Sequence, residues 1–116
     1  MRKKILIAED DKTTRELLKR HAELRGYGVV SVADGLEYVV AVSKETFDVV
    51  ITDLMMPELN GASATDIMKL NGDTTPTIAI TALSDTDVSH IKGKFTRVYH
   101  KPIDANELFD YIESLL

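Results

Sequence analysis

Acidic, hydroxyl and amine side chains follow four short apolar runs of this 116-residue chain. Asp53 comes directly after the run at residues 49–52 and precedes a loop that contains Pro57 and Gly61. The residues that follow the other three runs are Glu9, Asp10, Thr81 and Lys101. Burying a carboxylate at a strand end costs free energy unless a partner compensates for it, so chemistry explains Asp53 better than stability does. Such a set could bind a divalent cation together with a phosphoryl group.

Short runs rich in isoleucine and valine alternate along the chain with stretches of helical periodicity. The runs are mostly continuous, as in parallel strands that are covered on both faces, and they predict strands at 5–8, 29–32, 47–51, 77–80 and 97–100. The apolar spacing predicts helices at 12–25, 36–44, 62–70, 85–92 and 104–116. The stretch at 85–92 is mostly polar and precedes Gly93, so we expect a short helix there. This alternation predicts a doubly wound α/β domain.

Ligands in open parallel sheets bind beyond the carboxyl ends of the strands, where all of these polar residues are expected. If the first and third strands are neighbours, they lie about 4.8 Å apart, and Glu9 or Asp10 then stands beside Asp53. Carboxylates at such a distance repel each other, which raises a pKa. A hard cation with oxygen ligands, such as Mg²⁺, removes this repulsion. Lys101 and Thr81 could then bind phosphoryl oxygens.

Each of these residues has an ordinary structural explanation when it is taken alone. An aspartate after a strand usually caps a helix or forms a turn, a threonine in a strand is a good β-former, and a lysine before proline is usually solvated. These explanations weaken when the residues occur in one order at four matching strand ends. The ordered set therefore favours a phosphoryl-binding site over unrelated structural features.

The composition indicates one compact domain over residues 1–116, without a linker, a repeat or a low-complexity segment. The net charge of −5 argues against direct binding of nucleic acid, which needs a basic surface. The absence of cysteine excludes disulfides and thiolate metal sites and fits a cytoplasmic protein. No apolar stretch approaches the roughly 20 residues that span a bilayer, so we expect no membrane insertion.

Four ordered motifs resemble those of the receiver domain of two-component response regulators. They are Ile-Leu-Ile-Ala-Glu-Asp-Asp at 5–11, Asp-Leu-Met-Met-Pro at 53–57 with Gly61, Thr-Ala at 81–82, and Lys-Pro-Ile at 101–103. The resemblance covers essentially the whole chain. It implies a flavodoxin-like (βα)5 fold whose central parallel five-stranded sheet has the strand order 2-1-3-4-5. It also implies one receiver domain over residues 1–116, with no output domain in this chain.

For the acidic side of the site, the resemblance implies a phosphoacceptor and a metal ion. Asp53 would accept a phosphoryl group from a phosphohistidine. The residues that would hold Mg²⁺ are Glu9, Asp10, Asp53 and Met55, the last through its backbone carbonyl. Asp11 falls at the next position and is more typical of a helix start.

For the phosphoryl group, the resemblance implies three ligands. Thr81 would bind a phosphoryl oxygen and shift on activation, Ala82 would leave space and offer its N–H, and Lys101 would pair with the added charge. The peptide bond between Lys101 and Pro102 would be cis, a geometry that proline makes accessible. The implied reaction is in-line phosphoryl transfer, to which the protein contributes positioning and charge neutralisation.

The resemblance implies a signalling switch of a two-component system or phosphorelay rather than an enzyme that acts on other molecules. Such a domain assists its own phosphorylation and dephosphorylation. The phosphodonor would be a histidine kinase or a histidine phosphotransfer domain. We expect it to dock at the first helix, which starts beside the acidic pocket, and the candidate residues are Thr14, Leu17 and His21. His90 and His100 have no partners at metal-ligand spacing, and we interpret them as structural.

The chain departs from the receiver pattern at positions that affect switching and decay. Three residues before the lysine, receivers commonly carry a tyrosine or phenylalanine that acts as a rotameric switch, whereas this chain has Val98 and then Tyr99. Strand alternation should direct Tyr99 to the opposite face, so we expect the switch to be absent or displaced. Met55 and Leu83, two positions after the acceptor and after the threonine, offer no polar group to orient an attacking water. This predicts slow self-dephosphorylation.

Three other functions compete with the phosphoacceptor switch. A phosphatase that uses Asp53 as a nucleophile toward external substrates would want a second acid two residues downstream, where Met55 stands. A flavodoxin-like FMN or nucleotide carrier needs a phosphate-binding loop after the first strand, where the acids at 9–11 would repel phosphate. A phosphorylation-independent protein-interaction module stays open, although the full set of acids, threonine and lysine argues against it.

Overall fold

A central sheet of five parallel strands organises the protein, for which a computed structural model describes residues 2–116. The strands are β1 (Lys4–Ala8), β2 (Gly28–Val32), β3 (Val49–Asp53), β4 (Thr77–Thr81) and β5 (Arg97–His100). Their order in the sheet is β2-β1-β3-β4-β5, and each neighbouring pair is parallel. The predicted doubly wound fold and the predicted strand order are confirmed.

Four helices connect the five strands, a fifth follows β5, and together they cover the sheet. They are α1 (Lys12–Leu24), α2 (Gly35–Lys44), α3 (Gly61–Leu70), α4 (Asp85–Val88) and α5 (Ala105–Leu115). The side chain of Asp11 accepts a hydrogen bond from the Thr14 backbone N–H and so caps α1, which confirms its predicted place at a helix start. Within residues 2–116, the structure contains no helix with the length and apolar character that crossing a membrane requires.

Two apolar layers on opposite faces of the sheet explain why the strands read as continuous apolar runs. Alternation along β1 directs Ile5 and Ile7 toward α1 and α5, whereas Leu6 and Ala8 face α2 and α3. All residues of β3 and β4 are buried. A polar side chain at the end of either strand therefore leaves water and needs a partner.

The third strand lies two residues further along the chain than predicted. β3 covers Val49–Asp53 rather than 47–51, because Asp53 still pairs with Ile80 of β4. Phe47 precedes the strand but is buried in the layer that α2 and α3 cover. The apolar character of Phe47 therefore indicates that the residue is buried, but not that it belongs to the strand.

The predicted helix at 85–92 is shorter in the structure. α4 ends at Val88, which is its buried residue, and the chain continues through a turn to a short 3₁₀ helix at Lys92–Lys94. Helix stability in proteins comes mainly from packing of an apolar face, and one buried valine supplies little of it. The fourth helix is therefore a single turn.

Candidate functional site

Three carboxylates meet at the carboxyl end of the sheet. Glu9 and Asp10 follow β1, and Asp53 is the last residue of β3, which pairs directly with β1. One oxygen of each carboxylate lies within 4.8 Å of the others. Glu9 is fully buried and Asp53 is 4% exposed, whereas Asp10 is exposed. The fold thus brings together the three acids that the sequence analysis assigns to one cation site.

Lys101 joins this cluster from the loop after β5. Its Nζ donates hydrogen bonds to Glu9 Oε1 at 2.7 Å and to Asp53 Oδ2 at 2.8 Å. The backbone N–H of Lys101 also donates to the Thr81 carbonyl at 2.7 Å, which continues the pairing of β4 and β5. The peptide bond between Lys101 and Pro102 is cis. One ammonium group is therefore shared by two buried carboxylates.

Burial, the neighbouring acids and Lys101 together determine the electrostatics of the cluster. Burial, together with a hydrogen bond to Asp53, raises the pKa of Glu9 to about 7, although Lys101 opposes this change. Burial alone would lower the pKa of Lys101, but its hydrogen bonds to Asp53 and Glu9 outweigh burial and raise the pKa. Lys101 therefore stays charged near neutral pH.

Thr81 ends β4 beside this cluster and is fully buried. Its Oγ1 accepts a hydrogen bond from the Leu83 backbone N–H at 3.0 Å, and the hydroxyl proton stays available to a further acceptor. Among the hydrogen bonds of residues 2–116, none joins Thr81 to Asp53. Ala82 follows as an exposed residue, so its small side chain leaves the loop open to solvent.

The backbone around Asp53 is held by close contacts. Asp53 Oδ1 accepts a hydrogen bond from the Met55 N–H at 3.1 Å, and the Asp53 carbonyl accepts one from the Thr52 hydroxyl at 2.8 Å. A Cβ atom on Gly61 would lie 2.1 Å from that same carbonyl oxygen. The start of α3 can approach β3 this closely because Gly61 has no side chain.

Arg15 and Thr52 contact the site although the sequence analysis does not single them out. Arg15 donates from one guanidinium nitrogen to the carbonyls of Glu9 at 2.8 Å and Asp10 at 3.3 Å, and so holds the loop between β1 and α1. The sequence feature that could have indicated Arg15 is its position one turn into α1, on the side of the acidic loop. Thr52 carries no comparable signal, because a threonine in a strand is common.

The candidate docking residues divide into two groups. Thr14 and Leu17 line a cavity of about 210 Å³ that also includes Lys101 and Pro102. His21 lies further along α1 and stacks on Phe109 of α5, with ring centroids 6.3 Å apart. The structure therefore brings Thr14 and Leu17 next to the acidic cluster and leaves His21 in a packed position.

The residues next to Lys101 on β5 face opposite sides of the sheet, as predicted. Tyr99 packs in the layer of α1 and α5, where its ring lies 6.2 Å from that of Tyr111. Val98 faces the other layer together with Ala79 of β4. Thr81 lies two residues after Ala79 and so shares the face of Val98. Tyr99 therefore does not share a face with Thr81.

Met55 and Leu83 border a second opening beside the acidic cluster. Met55 is 62% exposed and Leu83 is half-buried. Both line a cavity of about 320 Å³ between α3 and α4. The other histidines differ in their surroundings: His90 is exposed at the rim of this cavity, whereas His100 bonds to Leu83 and Asp85.

Similar proteins share the arrangement over most of this chain. Response regulator MprA of Mycobacterium leprae is 30% identical over 115 residues, which are 97% of this chain and 50% of MprA. The chain spans about half the length, or less, of curated relatives that it matches. The similarity therefore concerns one part of those longer proteins.

Solved structures of receiver domains superpose on the fold. Response regulator TrrA of Thermotoga maritima, in complex with Mg(2+)-BeF, matches with a TM-score of 0.89 and 25% identity, over 98% of this chain and 99% of TrrA. The receiver domain of sensor histidine kinase PA1611 of Pseudomonas aeruginosa, with a magnesium ion in its active site cleft, gives a TM-score of 0.87 and 27% identity, over 99% of this chain and 98% of that domain. The sequence profile described as "Response regulator receiver domain" matches residues 5–113. With its sheet order and the cluster at the end of β3, the chain belongs to the response regulator receiver domain family.

Proposed function

We propose that this receiver domain is a phosphorylation switch of a two-component system or phosphorelay, with Asp53 as its phosphoacceptor. The supporting observation is the nearly buried Asp53 carboxylate, which shares the ammonium of Lys101 with Glu9. Two buried acids with one cation between them are a poor choice for stability alone. The same arrangement suits an acyl phosphate on Asp53, because Lys101, the Thr81 hydroxyl and the Ala82 N–H could then bind phosphoryl oxygens.

The acidic cluster fits a magnesium ion. Mg²⁺ prefers oxygen ligands and usually binds one or two carboxylates together with water, and Glu9, Asp10 and Asp53 each offer one carboxylate oxygen. The backbone carbonyl of Met55 is the fourth proposed ligand. Burial, and after it the neighbouring Asp53, raise the pKa of Glu9, and a bound cation would favour the ionised form of this carboxyl group. When bound, the ion would neutralise charge on the phosphoryl oxygens.

In the proposed reaction, a carboxylate oxygen of Asp53 attacks the phosphorus of a phosphohistidine on another protein. The new P–O bond forms in line with the P–N bond that breaks, and the imidazole of the donor leaves and takes up a proton. Lys101 neutralises charge on the transferred group, while burial of Asp53 limits access of water to the product. The chain modifies itself and not an external substrate, so we class it as a signalling domain.

The phosphodonor that we propose is a histidine kinase or a histidine phosphotransfer domain. A donor must present its phosphohistidine to Asp53 past the exposed rim of the site. Thr14 and Leu17 lie at this rim with Lys101, and Leu17 is 50% exposed. We propose these two residues as the centre of the docking surface, with His21 at its margin.

A phosphorylation-independent interaction module is the second candidate. The position of Tyr99 favours it, because this ring lies on the opposite face of the sheet from Thr81 and packs against Tyr111. If Thr81 moved toward a phosphoryl group, no aromatic side chain of β5 on the same face of the sheet could follow it and change the surface.

The deciding experiment is the intact mass of the protein after incubation with acetyl phosphate and Mg²⁺. We expect one added phosphoryl group that requires Mg²⁺ and is lost in Asp53→Asn. Asp87→Asn is the matched control, because Asp87 is an exposed acid on α4 near the site but outside the cluster. A wild-type protein that gains no phosphoryl group from acetyl phosphate or from a phosphorylated histidine phosphotransfer domain would support the interaction module instead.

A further inference from the structure

The imidazole of His100 ties the end of β5 to the loop between β4 and α4. Its Nδ1 lies 2.8 Å from the Leu83 carbonyl oxygen, and its Nε2 lies 2.8 Å from Asp85 Oδ1. His100 is the residue directly before Lys101, and Leu83 follows two residues after Thr81. One side chain therefore spans the loop that carries the proposed phosphoryl ligands.

Both backbone groups of Leu83 are held. Its N–H donates to the Thr81 hydroxyl at 3.0 Å, and its carbonyl faces the His100 ring. A movement of the Thr81 side chain would therefore disturb the peptide group before the Leu83 Cα, while His100 restrains the peptide group after it. These contacts form a continuous series of hydrogen bonds from Thr81 through Leu83 to His100.

Asp85, the second residue that His100 contacts, is held in place by an ion pair. Asp85 Oδ1 also forms an ion pair with Lys92 Nζ at 2.6 Å. Hydrogen bonds from Lys92 and His100 lower the pKa of Asp85, so this carboxylate stays ionised and accepts from the Lys92 ammonium and from the Nε2–H of His100. The imidazolium form of His100 is the form that donates to Asp85 and to the Leu83 carbonyl together. Asp85 is the first residue of α4, which means that His100 restrains the helix start as well as the loop.

We propose that His100 is a positioning residue that restrains the loop from Thr81 to Asp85 and opposes the movement of Thr81 toward a phosphoryl group on Asp53. The inference rests on the proposed function of Asp53 and Thr81. Thr81 Oγ1 accepts a hydrogen bond from the Leu83 N–H, and within residues 2–116 no hydrogen bond joins Thr81 to Asp53. Contacts that are made in the unmodified state and lost on modification shift the equilibrium toward the unmodified state.

This restraint acts where an aromatic switch is missing. Tyr99 lies on the α5 side of the sheet and Val98 has no polar atom, so neither can hydrogen-bond to the loop. His100 does so from the next position of the same strand. The link between the phosphoryl site and the start of α4 therefore passes along the loop and not through the sheet.

The test compares the affinity of the Mg²⁺-beryllofluoride complex, an analogue of the acyl phosphate, for the whole chain and for three variants of His100. In His100→Asn the amide nitrogen stands as far from Cα as Nδ1 and can keep the bond to Leu83. In His100→Gln it corresponds to Nε2 and can keep the bond to Asp85. His100→Ala keeps neither bond. Backbone amide NMR shifts of Ala82 and Leu83 report binding.

We expect the complex to bind about threefold to tenfold more tightly to His100→Ala, the range that one hydrogen bond provides. His100→Gln should resemble His100→Ala, and His100→Asn should stay close to wild type, because the Leu83 bond is the one that leads to Thr81. In the protein without beryllofluoride, hydrogen exchange of the Leu83 amide should be faster in His100→Ala and His100→Gln than in wild type.

His90→Asn is the matched control, since His90 is an exposed histidine on the same side of the domain, and its affinity should equal that of wild type. Equal or weaker binding by His100→Ala, with wild type binding normally, would overturn the restraint and leave the proposed function intact. Beryllofluoride that binds wild type and Asp53→Asn alike, or neither, would instead overturn the role of Asp53 and this inference with it.

Discussion

At the scale of one residue, burial of the Glu9 carboxyl group makes the stability of the fold depend on pH. Its pKa is raised from 4.5 in an exposed state to about 7 in the fold, first by burial and then by its hydrogen bond to Asp53. The folded protein therefore binds this proton more tightly than the unfolded chain does, so the stability from Glu9 is present below pH 4.5 and is lost as the pH rises through 7.

We accordingly expect the free energy of unfolding of the metal-free protein to fall between pH 4.5 and pH 7, by on the order of 2 kcal/mol from this group. Glu9→Gln cannot titrate and should flatten the fall. Urea unfolding in EDTA across this pH range measures the effect. Glu16→Gln, an exposed acid on α1, serves as the control. A Glu9→Gln profile parallel to that of wild type would contradict the role of Glu9.

Met55 and Leu83 set a second prediction at this scale, for the lifetime of a phosphoryl group on Asp53. Both flank the site without a polar group that could orient water. Met55→Asn or Leu83→Glu should speed loss of the phosphoryl group by on the order of tenfold, because positioning the nucleophile lowers the barrier. Decay is followed by intact mass after the donor is removed. Leu70→Asn, at an exposed and remote position, should leave the rate unchanged, and unchanged decay in both site variants would exclude this explanation.

Some residues of the site can be placed from the sequence alone, and others cannot. Asp53, Glu9, Asp10 and Lys101 can be placed together because parallel strands end at one edge of the sheet. His100 cannot, since its side chain bonds to the backbone carbonyl of Leu83 in another loop. Such contacts depend on loop conformation, which the order of strands does not determine.

At the scale of elements, Gly61 controls how closely α3 approaches β3. A Cβ at this position would lie 2.1 Å from the Asp53 carbonyl oxygen and 2.8 Å from Thr52 Oγ1. Gly61→Ala must therefore move α3 or the end of β3, and we expect it to destabilise the fold by about 1–3 kcal/mol and to slow phosphorylation from acetyl phosphate. Gly93→Ala is the control, because a Cβ at Gly93 meets no atom within 4 Å.

Urea unfolding and intact mass together measure the effect of Gly61→Ala. Equal stability of the Gly61→Ala and Gly93→Ala variants would show that the start of α3 moves freely and does not hold Asp53. A destabilised Gly61→Ala variant with a normal phosphorylation rate would show that the close packing of α3 stabilises the fold but does not position Asp53 for the reaction.

The bounds of a strand or helix could be predicted where its apolar residues are also the residues that pack within the element. Strands β1, β4 and β5 could be predicted to within one residue because they are apolar runs with polar ends. The position of β3 was wrong by two residues because Phe47 is buried outside the strand. The length of α4 depends on how much apolar surface it covers, and only the fold determines that surface.

At the scale of the whole molecule, the acidic cluster exists only in the folded chain. Glu9 and Asp53 are 44 residues apart in sequence and meet because β1 pairs with β3. A cation that binds the cluster therefore stabilises the folded state and not the unfolded one. We expect Mg²⁺ at ten times its Kd to add about 1.4 kcal/mol, seen as a rise of the Tm in thermal unfolding, and no rise at millimolar Mg²⁺ would argue against a preformed site.

Asp53→Asn separates the electrostatics of the cluster from its ability to bind a cation. The variant removes one charge from a nearly buried position while Lys101 can keep its 2.7 Å contact with Glu9. Without metal, we expect it to unfold at a higher temperature than wild type, because an ionised buried carboxylate costs more free energy than a neutral amide. With Mg²⁺, its gain should be smaller, because one ligand is lost. If Asp53→Asn were less stable than wild type without metal, attraction between Lys101 and Asp53 would outweigh the repulsion among the acids.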